Sequence, residues 1–292
     1  MNNAVRRLLT DFSIEVTPRE TAALDEAATV LPPGTKVFVT DLPGVDLARG
    51  LDAATRVREH GLRPVVHLAV RSIPDLAALD RTLGAVADAG VEDVLLIAGS
   101  RPAAGAIENT LQVLESEALA RREFASIGVA GHPEGNPGVD ESAVDHALAR
   151  KDKIAREDGL PLYVVTQFGF AADPVLGWER RMREAGLGLP VRVGLPGLTS
   201  PARLLRFGLS CGVGPSLAVL RKQTGSVLKL ATQVYRPTET VLGLARAVAA
   251  DPESLISAVH FFPFGAVVPT ARYAVSGQED GLGAQGAAIM GG

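Results

Sequence analysis

Short apolar runs rich in valine and isoleucine recur along this chain, and each is followed by a longer segment whose apolar residues are spaced three or four apart. The first pattern is that of a strand buried on both faces and the second that of an amphipathic helix. Their alternation marks parallel strands joined by crossover helices. The strand candidates are FSIEV, KVFVTDL, RPVVHLAV, DVLLIAG, SIGVAGHP, PLYVVTQFGF, PVRVGLPG and ISAVHFFPF. Eight such units predict an α/β fold of one domain, a closed (β/α)8 TIM barrel, in preference to an open sheet.

Helical patterns fill the gaps, among them VDLARGLDAATRVREHG, IPDLAALDRTLGAVADAG and ESAVDHALARKDKIAREDG, each with a glycine near its end. At the start, Thr17-Pro18-Arg19-Glu20 reads as a capping box with proline at the first helical position. The widest gap, from about Ser200 to Pro252, has room for more than one helix and predicts an enlarged seventh unit. After Ser276 the chain is glycine-rich and poor in large apolar residues. The barrel is therefore expected over residues 1–276 and a flexible tail over 277–292.

Composition narrows the function classes. The formal charge of -4 over 292 residues, with basic residues scattered, gives no footprint for nucleic acid or an anionic membrane. No run approaches the length of a membrane span or a signal-peptide core. The single cysteine, Cys211, excludes an internal disulfide framework and favours the cytoplasm. The expected partner is a small soluble ligand. Barrels commonly associate through their outer helices, so a homo-oligomer is compatible, but no segment marks such a face.

Several motifs resemble chemistry and lack its context. Gly281 to Gly286, GLGAQG, matches a dinucleotide-binding pattern with no strand before it. GLSCG around Ser210 matches a nucleophile elbow but follows a helical segment. Of the histidines, His67, His132 and His260 fall near predicted strand ends. No strand pairs them and no helix carries H-E-x-x-H, so hydrogen-bonded lone histidines are favoured over a metal site. The charges of Arg150 to Asp158 read as a solvated helix face, Lys153 excepted.

In a barrel of this kind the active site lies at the C-terminal ends of the strands. Those ends supply Glu15, Thr40 with Asp41, His67, Ser100, His132 with Glu134, Gln167, and the aromatic run Phe261, Phe262 and Phe264. A polar mouth with aromatic walls suits a flat heteroaromatic ligand. Glu15 has two readings, a strand-end carboxylate open to water or a functional acid. Gln167 lies in VVTQFGF, where a large amide among apolar residues needs partners.

These same residues carry a resemblance to the methylenetetrahydrofolate reductase family. It runs from FSIEVTPRE through VVHLAV, GHPEGNP, KDKIAREDGLPLYVVTQF and VGLPGL to VHFFPFG. The resemblance implies a (β/α)8 barrel that interconverts 5,10-methylenetetrahydrofolate and 5-methyltetrahydrofolate, using NAD(P)H and, in flavin-containing members, FAD. It implies Glu15 as general acid, Gln167 as the amide facing the pterin and Phe207 as an aromatic residue near the folate, with Ser100 and Phe264 also on the substrate side. Thr40, His67, His132 and Lys153 fall at FAD-contact positions, and Gly99, Ser100 and Glu134 adjoin them.

The departures are specific. Where flavin-containing relatives carry Arg-Gly-Asp after strand four, this chain has Ala98-Gly99-Ser100. Asn136 and Asp152 replace a histidine and an arginine, and Ala266 stands for the strand-eight arginine.

If Glu15 is the acid, it protonates N10 so that the bridging carbon becomes an N5 iminium open to hydride. That requires a raised pKa, expected from burial against apolar neighbours such as Ile14. Two other readings stand beside the reductase: a folate-dependent methyltransferase or demethylase without redox chemistry, and a folate-binding protein without catalysis.

Overall fold

The computed structural model describes residues 2–136, 139–204 and 234–282. Its eight strands are β1 (Ser13–Val16), β2 (Lys36–Val39), β3 (Arg63–Ala69), β4 (Asp93–Ile97), β5 (Ser126–Gly131), β6 (Leu162–Thr166), β7 (Val191–Pro196) and β8 (Ile256–Phe262). All neighbours are parallel, and β1 pairs with β8 as well as β2, so the sheet closes into a barrel. The (β/α)8 expectation holds, with each strand core in a run that the apolar pattern singled out.

The helices are α1 (Asn2–Leu8), α2 (Thr21–Ala28), α3 (Leu47–Glu59), α4 (Leu76–Asp88), α5 (Thr110–Leu114), α6 (Glu117–Ala120), α7 (Glu141–Asp158), α8 (Ala172–Glu184), α9 (Thr238–Ala250) and α10 (Val267–Asp280). Aspartates start three of them: Asp46, Asp75 and Asp140 each accept a hydrogen bond from a backbone N–H of the first turn. Gly159, at φ +66, ends α7 in the left-handed conformation that a side chain would disfavour. No described helix is long and apolar enough to cross a membrane.

Two local expectations need correction. The helix after β1 begins at Thr21, not at Pro18. Residues 17–20 form a turn in which Glu20 Oε2 accepts from the Thr17 N–H at 2.8 Å. The reciprocal capping contact therefore closes a turn ahead of the helix, and it carries the Glu20 carboxylate toward the barrel mouth. α10 continues past Ser276 to Asp280, and Leu282 is buried, packed near Gly277 and Leu9, so the barrel domain extends past the expected boundary at 276. The N-terminal segment ahead of β1 forms α1, which buries Val5 and Leu8 and packs on α9 and α10. Ser210, Cys211, Phe207 and most of GLGAQG lie outside the described residues, as does much of the seventh unit between Leu204 and Val234.

Strand alternation divides the core. Outward-facing residues such as Ile14, Val37, Val66, Val94 and Val164 pack with the helices. Phe38, Val65, Leu95, Tyr163 and Val165 fill the barrel itself. Toward the N-terminal end the interior turns polar: Asp93, fully buried, takes Lys36 at 3.3 Å and is also bound by Arg63 and Ser126. Tyr163 lies between Lys36 and Arg192, 5.1 and 5.6 Å from its ring centre. That plug closes one end and leaves the C-terminal end as the mouth.

Candidate active site

Glu15 and Ser13 are two residues apart on β1, so both side chains point into the barrel while Ile14 points to the helices. The expected burial of Glu15 is present, but its source is not Ile14. The carboxylate sits between two histidines, with Oε2 3.7 Å from His67 Nε2 and 3.7 Å from His260 Nε2. Phe38, its neighbour across the β1–β2 pair, packs its ring against both imidazoles, at 5.8 and 4.4 Å. The Glu15 side chain is 18% exposed, His67 8% and His260 not at all.

Burial decides the charges. Desolvation first, and the Glu20 carboxylate second, push the Glu15 pKa up to about 8. Desolvation pulls His67 down to about 3 and His260 well below its usual value. At neutral pH the trio is therefore an uncharged acid between two neutral imidazoles. Ser13 Oγ lies 2.9 Å from His260 Nδ1 and anchors that ring. The Nε2 atoms of both histidines are buried without a hydrogen-bond partner among the described residues. At 3.7 Å the carboxyl contacts are too long to be hydrogen bonds, so the Nε2 atoms are open to a ligand or to a small rotation of Glu15. Among the described residues no group of His, Cys, Asp and Glu side chains could hold a metal ion.

An aromatic wall rises beside the trio. The Phe262 ring meets His260 edge-on at 4.6 Å, and Phe264 stacks on it at 6.2 Å with planes 20° apart. Phe168 packs on Phe264 at 5.0 Å, and Phe170 and Tyr235 continue the cluster. Phe264 adopts φ +50, unusual for a bulky residue, in the turn that leaves β8. Gly194 on β7 makes this packing feasible, since a Cβ there would lie 2.8 Å from the Phe262 ring and 2.4 Å from the Thr166 carbonyl. Gln167, half-buried at the end of β6, donates its backbone N–H to Gly131 O at 2.8 Å.

On the opposite side, Thr40 follows β2 with its hydroxyl buried and unpartnered among the described residues. Gly99, at φ +85, brings the loop after β4 against Ala69, where a Cβ would sit 3.0 Å from the Ala69 Cβ. Ser100 is exposed at the rim, and Arg101 beside it pairs with Asp41 at 3.0 Å. His132 and Glu134 lie half-buried after β5. His132 is pulled down to about 4 by burial and by the nearby charge of Lys151.

Lys153 is not brought to this site. It is exposed on α7 and pairs with Glu157 at 3.5 Å, while Lys151, two residues earlier and so on the opposite helix face, is the inward lysine. Lys151 is 9% exposed, with no hydrogen bond or ion pair among the described residues, and burial pulls its pKa down to about 8. The face that Lys151 occupies also buries Leu148 and Ile154, the signal in the sequence that could have selected it. His260 was legible as a histidine near a strand end. Its link to Ser13 depends on barrel closure, which no local pattern specifies.

A model of the family described as methylenetetrahydrofolate reductase matches residues 21–214. Methylenetetrahydrofolate reductase 2 of Saccharomyces cerevisiae is 25% identical over 155 residues, a stretch that covers 50% of this chain and 25% of that protein. The chain thus corresponds to about a quarter of that relative's length. Among solved structures, an uncharacterized Clostridium thermocellum protein that binds two copies of 5-methyl-5,6,7,8-tetrahydrofolic acid has a TM-score of 0.59 at 11% identity, covering 91% of this chain and 98% of that one. The carboxyl transferase domain of Rhizobium etli pyruvate carboxylase, complexed with 3-bromopyruvate, has a TM-score of 0.51 at 13% identity, covering 95% and 49%. At those identities the two structures speak for the barrel alone. The family match, which takes in β2 to β7, is what places this chain: it belongs to the methylenetetrahydrofolate reductase family.

Proposed function

We propose that this protein interconverts 5,10-methylenetetrahydrofolate and 5-methyltetrahydrofolate, with Glu15 as the acid that protonates N10. One observation carries the reading: a carboxyl group held near pKa 8 inside the barrel mouth, with two unpartnered imidazole nitrogens at 3.7 Å. A carboxylic acid that keeps its proton at neutral pH can donate it to a weakly basic ring nitrogen, and its burial strengthens that contact.

His260, anchored by Ser13, is positioned to orient the Glu15 carboxyl group. With Nδ1–H donating to Ser13 Oγ, Nε2 is left to accept from the Glu15 acid. Gln167 would hold the pterin edge and the Phe262–Phe264 wall its rings. The folate ligand of the Clostridium thermocellum neighbour supports a folate-sized ligand here.

The buried, unpartnered Thr40 hydroxyl, and the buried Lys151 ammonium with His132 near it, would fit a phosphate-bearing cofactor, FAD or a directly bound NAD(P)H. Such a group, when bound, supplies the hydride. The protein's own contribution is protonation, placement and exclusion of water.

A second reading, methyl transfer at the same pterin site without redox chemistry, draws on Ser100, exposed and uncharged where flavin-containing relatives carry an acid. One assay separates the two. Purified protein is mixed with NADH or NADPH and methylenetetrahydrofolate, and nicotinamide absorbance is followed together with any flavin spectrum. Methylenetetrahydrofolate-dependent oxidation supports the reductase. Methyl transfer from an added methylated donor to tetrahydrofolate, with no nicotinamide signal, selects the alternative.

A further inference from the structure

We propose that Glu20 is a positioning residue for the acid Glu15: its carboxylate, pinned by the turn after β1, is the fixed negative charge that keeps the proton on Glu15. The inference rests on the reading of Glu15 above. Thr17 to Glu20 form a turn with Pro18 at its second position, where the fixed backbone angle of proline belongs. The Glu20 N–H donates to the Thr17 carbonyl at 3.0 Å, and the Thr17 N–H donates to Glu20 Oε2 at 2.8 Å. Two bonds between the same pair of residues fold the Glu20 side chain back over the turn, toward the strand that carries Glu15.

That direction is the unexpected feature. Glu20 is the N-cap of α2, where an acidic side chain ordinarily accepts from a first-turn N–H and faces the positive end of the helix dipole. It makes no such bond. The residue is half-buried, and its carboxylate is bound instead to the N–H two residues beyond Glu15. Its other oxygen, Oε1, faces the tip of β8, since a Cβ on Gly265 would lie 3.9 Å from it.

The groups around the two carboxyls leave this charge little answered. β3 contributes His67 and β8 contributes His260, both neutral. From the turn after β7 comes Arg203, whose Nη1 is taken by the Phe264 carbonyl at 2.5 Å. Arg19, beside Glu20 in the chain, is exposed. Among the described residues no cation forms an ion pair with Glu20. Burial and the Glu20 charge both disfavour an ionised Glu15, in that order. A general acid has to begin each turnover protonated, so a second carboxylate beside it extends the pH range over which it can act.

The experiment follows the Glu15 carboxyl directly, by NMR of the full-length protein with isotope-labelled glutamate, Glu15→Gln identifying its signal. Glu20→Gln keeps an acceptor for the Thr17 N–H and removes the charge. It is expected to move the Glu15 titration to lower pH and to carry the alkaline limb of the pH–rate profile with it. Relative to wild type, its kcat/KM for methylenetetrahydrofolate should fall about two- to fivefold on the alkaline side of the Glu15 midpoint, and far less on the acid side, as expected for one like charge nearby. Glu20→Asp, which keeps the charge, should recover part of the shift. A Glu15 titration unchanged in Glu20→Gln overturns the proposal. So does a rate lost equally at every pH, the mark of a turn needed for structure alone. The titration needs no substrate, so a wild type inactive on methylenetetrahydrofolate sinks the folate reading, while the titration still decides whether Glu20 holds the Glu15 proton.

Discussion

Glu15 Oε2 lies 3.7 Å from His260 Nε2, and the other nitrogen of that imidazole is 2.9 Å from Ser13 Oγ. Serine, histidine and glutamate thus form a line across the β8–β1 seam of the barrel. The two outer members belong to one strand, and the middle one comes from the opposite end of the chain. The pKa of Glu15 depends on this enclosure, because both neighbouring imidazoles are themselves held neutral by burial and offer no positive charge to draw out its proton.

Replacing Glu15 with Gln should preserve the fold and ligand binding, since the amide matches the carboxyl group in shape. Turnover with methylenetetrahydrofolate should fall by about a hundredfold or more, the usual contribution of a general acid. Steady-state rates alongside 5-methyltetrahydrofolate binding measure both halves. A variant with near-normal turnover removes Glu15 from the chemistry.

The same group makes stability depend on pH, with a definite sign. Unfolded, Glu15 loses its proton near the ordinary carboxyl value of 4.5; folded, it keeps it to about 8. Between those values the native state binds more protons, so this contribution to stability is full below pH 4.5 and declines as pH rises toward 8. His67, with folded pKa about 3 against 6.5 unfolded, acts oppositely and costs stability as pH falls below 6.5. Denaturant melts of wild type and Glu15→Gln from pH 4.5 to 9 should show the variant gaining on wild type as pH rises. A constant difference across that range would contradict the raised pKa.

Ser13→Ala removes the partner of a fully buried imidazole nitrogen. Leaving that atom unsatisfied should cost about 1–3 kcal/mol of stability. The loss of a fixed His260 orientation should also move the alkaline limb of the activity profile, while Ser13→Thr, which retains a hydroxyl, should restore it in part. A thermal melt and a pH–rate profile of both variants provide the check.

The two lysines of α7 should separate cleanly. Lys151→Met is expected to weaken NAD(P)H or FAD binding by about tenfold or more, because it deletes a desolvated cation. Lys153→Met, which gives up an exposed pair with Glu157, should leave binding unchanged and stability within about 0.5 kcal/mol. Titration of each variant with the cofactor gives the answer. The reverse ranking would restore Lys153 to the site.

Much of this protein was determined by local sequence. Eight valine- and isoleucine-rich runs bury both faces of parallel strands, and such strands need crossover helices, so the barrel follows from short-range pattern. Alternation along β1 likewise places Ser13 and Glu15 on one face. What the pattern could not supply was which groups meet. His260 joins Ser13 and Glu15 solely because β8 closes on β1. The turn at Thr17–Glu20 and the burial of Leu282 were decided the same way, by packing partners distant in sequence. Period and propensity act over a few residues, whereas desolvation, and with it the charge state of Glu15, arises from the whole enclosure assembled in three dimensions.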